Sequence, residues 1–458
     1  MPRPAFPPPS PADDARALAA VRDAALPLRG GDADYDDLLD LAADATIVLL
    51  GEASHGTHEF YSRRAAITRR LVEEQGFTAV AVEADWPDAK RVDDWVRGAS
   101  ANADEDAADA LSGFERFPQW MWRNADVLQF VTWLRARNAG CEDECTRTGF
   151  FGIDLYSLYT SIEAVLRYLD ETDPEAARRA RYRYACFEHF GEEPQAYGYT
   201  ASFDISRSCE DEAVRQLIDL RRRASTAPPQ RDELAADALF SAEQNARLVR
   251  NAEEYYRSMF RGRISSWNLR DRHMTETLQQ LAAHLERQGR APKIVVWAHN
   301  SHLGDARATE MGARGELNVG QLVREHWRER AVLVGFTTYT GTVTAADDWD
   351  APARRKVVNR GMPGSYEALF HDVGLPDFYL RLRDGGAAAD ALRAPRLERA
   401  IGVIYRPDTE RVSHYFRARL ADQFDAVIHV DDTSAVQPLE RVGVASSTEP
   451  PETFPSGI

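Results

Sequence analysis

Residues 46–87 read TIVLLGEASHGTHEFYSRRAAITRRLVEEQGFTAVAVEADWP, and this stretch decides the fold. Residues 46–50 form an unbroken apolar run closed by Gly51, the pattern of a strand covered on both faces. A turn carrying Glu52 and His55 follows, then a helix with Thr57 as its N-cap and Gly76 as its stop, then a second strand ending at Glu83. That outline is a βαβ unit. Phe60, Ile67 and Leu71 fall seven and four positions apart and mark one buried stripe of the helix, and Arg64 lies on the same stripe. A buried guanidinium left unpaired costs roughly 3 to 5 kcal/mol, so Arg64 requires carboxylates, with Glu52 and Glu83 as the candidates. The competing reading lets it snorkel to solvent at the rim of the sheet.

The same pattern recurs further along. Residues 149–154 read as a third buried strand, ending at Asp154 on the edge that holds Glu83. Residues 293–297 form an apolar strand that delivers His299, Asn300 and His302, repeating the logic of residues 46–55. Residues 332–338, 400–405 and 424–430 supply further strands. Between residues 161 and 288 nearly everything carries helical signals, broken at Pro174, Pro194 and Pro228. The predicted fold is therefore α/β: a mainly parallel sheet flanked by helices, with a helical insertion subdomain over the C-terminal edge of the strands. The expected division is a flexible Pro-rich leader over 1–30, an α/β core over 31–160 and 291–435, the insertion over 161–290 and a disordered tail over 436–458.

Composition narrows the partners. A net charge of −17 over 458 residues argues against nucleic acid and anionic membrane surfaces. No run approaches the roughly 20 apolar residues of a membrane span, and the N-terminus lacks a signal-peptide core, so a cytoplasmic protein is expected. Cys141, Cys145, Cys186 and Cys209 fit no zinc or disulfide pattern and read as free thiols. The patch around Trp267, Arg270 and Asp271 reads as a solvated helix face. An aromatic cluster at Phe114, Phe117, Trp120 and Trp122 reads as core, or as the wall of a wide apolar cleft.

Glu52, His55, Arg64, Glu83, His299 and His302 thus converge from three strand ends and one helix. With G-E-A-S-H-G at residues 51–56, Arg64 nine positions after His55, V-E-A-D at 82–85 and A-H-N-S-H at 298–302, the chain resembles the erythromycin esterase family over residues 40–435. The resemblance implies that His55 is a general base activating water for attack on an ester or macrolactone, such as erythromycin, with antibiotic resistance as the associated role. Glu52 and Glu83 would orient the imidazole and the water, Arg64 and His299 would stabilise the oxyanion, and His302 would bind substrate. No G-x-S-x-G elbow occurs, which favours direct attack by water without an acyl-enzyme. No cofactor is expected, and the partner is a small-molecule ester or lactone. Two other readings remain beside this one. Glu52, His55, Glu83, His299 and His302 offer ligands for a catalytic metal, and the same frame can serve a non-catalytic binding protein.

Overall fold

The computed structural model describes residues 10–99, 106–142, 146–188, 208–226, 233–258 and 263–440. Among the described residues the main sheet has nine strands. In spatial order eight of them are β1 (Leu26–Pro27), β8 (Asp377–Arg381), β11 (Ala426–Thr433), β6 (Ala331–Ala345), β2 (Ile47–Leu50), β5 (Ile294–Trp297), β3 (Ala79–Asp85) and β4 (Gly149–Asp154). The ninth, β7 (Arg354–Val358), pairs with the far end of β6. The six strands from β11 to β4 run parallel, while β8 and β1 close one edge antiparallel. A small sheet pairs β9 (Arg396–Arg399) with β10 (Tyr415–Ala418).

Both faces of the parallel strands are covered, which is why these strands carry apolar residues without alternation. Ile47, Leu49, Ala81, Ile153 and Val296 enter one core. Val48, Leu50, Val80, Val82, Val295 and Trp297 enter the other. The second core is filled by the helices His58–Gln75, Trp86–Arg97 and Ala125–Ala139. The first is filled by Pro11–Ala24 and by the helices that separate β4 from β5, among them Leu158–Thr172, Glu233–Ser258 and Arg263–Arg287. Those last helices form a covering layer on one face, and the start of Arg263–Arg287 is what reaches the strand ends, through Arg270 beside Glu83 and Asp154.

The helix after β2 forms as its pattern predicts: Phe60, Arg64, Ile67 and Leu71 are all buried, and Gly76 ends it in the left-handed conformation at φ 68°. Thr57 occupies the N-cap without a side-chain cap bond. β5 lies between β2 and β3, so the two strands of the opening βαβ unit are not neighbours. At the end of β3 the register with β4 shifts between Val82 and Asp85, and Glu83 sits in this irregularity, where a bulge re-aims side chains.

Several boundaries differ from expectation. Residues 10–30 are part of the fold: Ser10 and Asp13 form a capping box, Pro11 fills a position that tolerates proline, and Ala17 and Val21 pack into the core. Residues 436–440 are docked too, since Val436 donates to the Gly56 carbonyl and Leu439 to that of Arg123. Residues 441–458 lie outside the described residues. The strand expected at 400–405 reduces to single bridges at Ile401 and Ile404, while β9 precedes it. Cys186 and Cys209 form a disulfide, contrary to the free-thiol reading; Cys141 is free, and Cys145 lies outside the described residues. Among the described residues no helix is long and apolar enough to cross a membrane.

Candidate active site

The turn at residues 51–56 is held by backbone contacts on every side. The Gly51 N–H donates to Val334 and the Glu52 carbonyl accepts from Asn300. Ala53 and His55 both bond to the backbone of Ile401, and the Gly56 carbonyl accepts from Thr344 and Val436. Two glycines make this possible. A Cβ at Gly51 would stand 2.1 Å from Asn300 Oδ1, and one at Gly56 would stand 1.9 Å from the Thr344 carbonyl oxygen. A turn so constrained fixes the direction of the side chains it carries.

Within it, His55 Nδ1 lies 2.9 Å from Glu52 Oε1. The carboxylate accepts, so Nδ1 carries a proton and the bond aims Nε2, the nitrogen a general base would use, away from Glu52. Arg64 donates to Glu52 Oε2 at 2.7 Å and is 0 % exposed, which places it in the buried alternative and not at the rim. Its guanidinium lies over Tyr61 and Trp297, 4.4 and 5.2 Å from the ring centroids. Arg64 therefore sits behind Glu52 and reaches His55 through it. Glu83, the other partner expected for Arg64, is engaged elsewhere.

The second cluster gathers around Glu83. Oε2 accepts the His299 backbone N–H at 2.9 Å, and Oε1 accepts from Arg270 at 2.8 Å and lies 3.3 Å from His302 Nε2. Arg270 also grips Asp154 with two bonds of 2.9 and 2.6 Å, a bidentate pair. Burial pushes the Glu83 carboxyl up, but His302, Arg270 and His55 together outweigh burial and hold it well below the usual carboxylate range. His302 Nδ1 faces both oxygens of Asp271, at 2.9 and 3.1 Å, and its ring stacks on Trp267 at 4.4 Å.

His299 stands between the clusters, its ring centroid 4.9 Å from that of His55. Its Nδ1 accepts from the Ser301 N–H and lies 2.8 Å from Ser301 Oγ, so Nε2 bears the proton; among the described residues Nε2 is buried without a well-formed hydrogen bond, and the Ala53 backbone is the nearby acceptor that acts on the ring. Burial first, and the neighbouring His55 next, push the His299 pKa well down, so the ring is a neutral donor.

Of the six residues singled out from the sequence, five lie in these two clusters and His299 lies between them. Three more belong with them: Asp154, Arg270 and Asp271. The solvated-face reading of Arg270 and Asp271 does not hold, because Asp271 is fully buried and Arg270 bridges two carboxylates. A signal was present for Asp271: Trp267, Asp271, Met274, Leu278, Leu281 and Leu285 recur at spacings of four and three, and all are buried. Of the aromatic cluster, Phe114, Trp120 and Trp122 are core, with Trp122 donating to the Glu83 carbonyl; Phe117 is half-buried against Trp349. Among the described residues no group of three or more His, Cys, Asp or Glu side chains is arranged to hold a metal ion.

Fold and site together define the class: an α/β protein that concentrates carboxylates, guanidinium groups and histidines at the C-terminal ends of parallel strands, the edge where such sheets place their sites. Residues 72–433 match the erythromycin esterase model, and the chain belongs to that family. Glu83, His299 and His302 fall inside the matched span, while Glu52, His55 and Arg64 precede it. Erythromycin esterase type II of Escherichia coli is 23% identical over 439 residues, covering 90% of this chain and 97% of that protein. Two solved structures share the fold. A succinoglycan biosynthesis protein superposes with a TM-score of 0.74 at 19% identity, over 94% of this chain and all of that one (100%). A mutant of the erythromycin esterase EreC, in its open conformation, superposes with a TM-score of 0.63 at 17% identity, over 93% of this chain and 98% of that one.

Proposed function

We propose that the protein hydrolyses a carboxylic ester or macrolactone, with macrolides such as erythromycin as the substrate class, by direct attack of water activated by His55. The observation that carries this reading is the Arg64–Glu52–His55 chain, with its bonds of 2.7 and 2.9 Å, beside a neutral His299 whose buried Nε2–H makes no well-formed hydrogen bond among the described residues. Glu52 fixes the imidazole, and Arg64 holds Glu52 in place. His55 Nε2 removes a proton from water while the water oxygen attacks the carbonyl carbon. His299 Nε2–H is the donor for the oxyanion, and in a dry site such a donor is worth several kcal/mol. Arg64, wholly buried behind Glu52, acts as a positioning residue and not as an oxyanion donor.

The test is hydrolysis of erythromycin and of simple esters by purified protein, read by mass. A gain of one water on erythromycin supports the full reading. Turnover of a simple ester alone supports hydrolysis and removes the macrolide. His55→Ala is expected to lower kcat by about 10²- to 10⁴-fold in a protein that still folds, because the turn is held by backbone bonds and Arg64 still pairs with Glu52. Retention of more than about a tenth of the wild-type rate would show that His55 is not the base.

A further inference from the structure

Three histidines share this site, and their surroundings assign them three different states. His55 is a base oriented by Glu52 and His299 is a neutral donor. His302 lies between two carboxylates. Nδ1 donates to Asp271, whose Oδ1 is fixed in turn by the Val319 N–H at 3.0 Å, and Trp267 sets the plane of the ring. Nε2 has two neighbours of opposite kind: Arg270, a donor, at 3.1 Å, and Glu83 Oε1, an acceptor, at 3.3 Å. Unprotonated, Nε2 accepts from Arg270; protonated, it donates to Glu83. The ring can therefore gain or lose a proton with a partner in either state and without turning.

We propose that His302 is the general acid of the site, supplying the proton required by the departing alkoxide, and that Asp271 is the positioning residue that keeps His302 charged and aimed. This rests on the hydrolytic reading above. Water loses a proton to His55 as its oxygen bonds to the carbonyl carbon. The tetrahedral intermediate then collapses, the bond from carbon to the alkoxy oxygen breaks, and its electron pair leaves with that oxygen. The oxygen takes the Nε2 proton of His302 and departs as an alcohol. The proton held by His55 returns through solvent to His302, so one water is consumed and both histidines are restored. Glu83 cannot serve as the acid, since it stays ionised. His299 cannot either, since it does not charge.

The groups facing His302 support the assignment. Asp271 and Arg270 come from the helix Arg263–Arg287, Glu83 from β3, Asp154 from β4 by way of Arg270, and His299 from its own turn. Burial lowers the imidazole, but Asp271 and then Glu83 more than offset it, so the ring titrates above its ordinary value. The charged form is present below that raised value and lost as pH rises through it.

Leaving groups separate an acid from a scaffold. A nitrophenolate departs without a proton, whereas an aliphatic alkoxide needs one. In full-length protein, His302→Gln and Asp271→Asn are each compared with wild type on a p-nitrophenyl ester and on an alkyl ester of the same acid, with melting temperatures recorded. The expected result is a loss of about 10²-fold or more in kcat/KM on the alkyl ester, against less than about threefold on the nitrophenyl ester. Wild type alone gives a second reading that needs no variant: the alkyl-ester profile falls at high pH while the nitrophenyl profile does not. In Asp271→Asn that fall moves to lower pH. Equal losses on both esters by folded variants, or an alkyl-ester profile with no alkaline fall, would overturn the proposal while leaving hydrolysis by His55 intact. A wild-type protein inert towards both esters and erythromycin would overturn the hydrolytic reading itself.

Discussion

The two clusters of the site are built in opposite ways. Glu52, His55 and Arg64 come from a single turn and the helix behind it, within thirteen residues of sequence. Glu83, Asp154, Arg270, Asp271 and His302 come from three strand ends and a distant helix, with the chain running through many other elements between them. The first cluster is locally specified: once residues 51–56 take up their turn, the base and its orienting carboxylate are already adjacent. The second exists only after β3, β4, β5 and the helix Arg263–Arg287 have packed together. One guanidinium serves each cluster, but Arg64 holds one carboxylate and Arg270 holds two. The locally built cluster should therefore be the more tolerant of damage.

The largest effect is expected at Arg270. Arg270→Ala strands Glu83 and Asp154 together, both buried, and removing one partner of a buried pair costs about 3–5 kcal/mol, so the loss should reach or pass the top of that range. Denaturant unfolding measures it. Arg64→Ala strands Glu52 alone and should cost less than Arg270→Ala, within the same range of about 3–5 kcal/mol, with a fall in rate as the orientation of His55 loosens. If Arg64→Ala is the more destabilising of the two, the proposed difference between the clusters is wrong.

That contrast also explains what the sequence discloses. The strands carrying Ile47, Val82 and Val296 are legible because burial on both faces requires uninterrupted apolar runs. Arg64 is legible because it breaks an apolar stripe at a position that must be buried, and Asp271 breaks the stripe from Trp267 to Leu285 in the same way. The difference lies in their neighbours. Arg64 has Glu52 twelve positions away as a visible partner, while Asp271 has His302 thirty-one positions on, and the flanking Arg270 and Arg272 make the segment look solvated. Periodicity reports that a residue is buried, not which strand end it meets. The insertion of β5 between β2 and β3 is likewise a decision of tertiary packing with no local signature. Residues 10–30 were masked by their prolines, although Pro11 stands where a helix accepts one.

A smaller effect should come from the turn itself. Gly56→Ala places a Cβ against the Thr344 carbonyl at 1.9 Å, and since that atom is backbone the turn must shift. Overpacking of this kind costs about 1–3 kcal/mol. Because His55 is the adjacent residue, the rate should fall by more than the stability change alone would explain. A Gly56→Ala protein with normal turnover would show that the backbone clamp does not set the position of His55.

Chelation should have the smallest effect of all, and it separates the hydrolytic reading from the metal-dependent one. A catalytic metal requires ligand atoms that are free to converge on one point with an open position for water. Here Glu52 divides its oxygens between His55 and Arg64, and Glu83 divides its own between the His299 backbone and Arg270. His302 uses one nitrogen on Asp271 and turns the other towards Arg270 and Glu83. A dication placed among these groups would have to displace two guanidinium ions that already neutralise the carboxylates it needs. Prolonged treatment with a chelator is therefore expected to leave the rate and its pH profile unchanged. Loss of activity restored by zinc or manganese, or elemental analysis finding about one transition metal per chain, would mean that Arg64 and Arg270 move aside in the working enzyme, and that His55 acts as a ligand and not as a base.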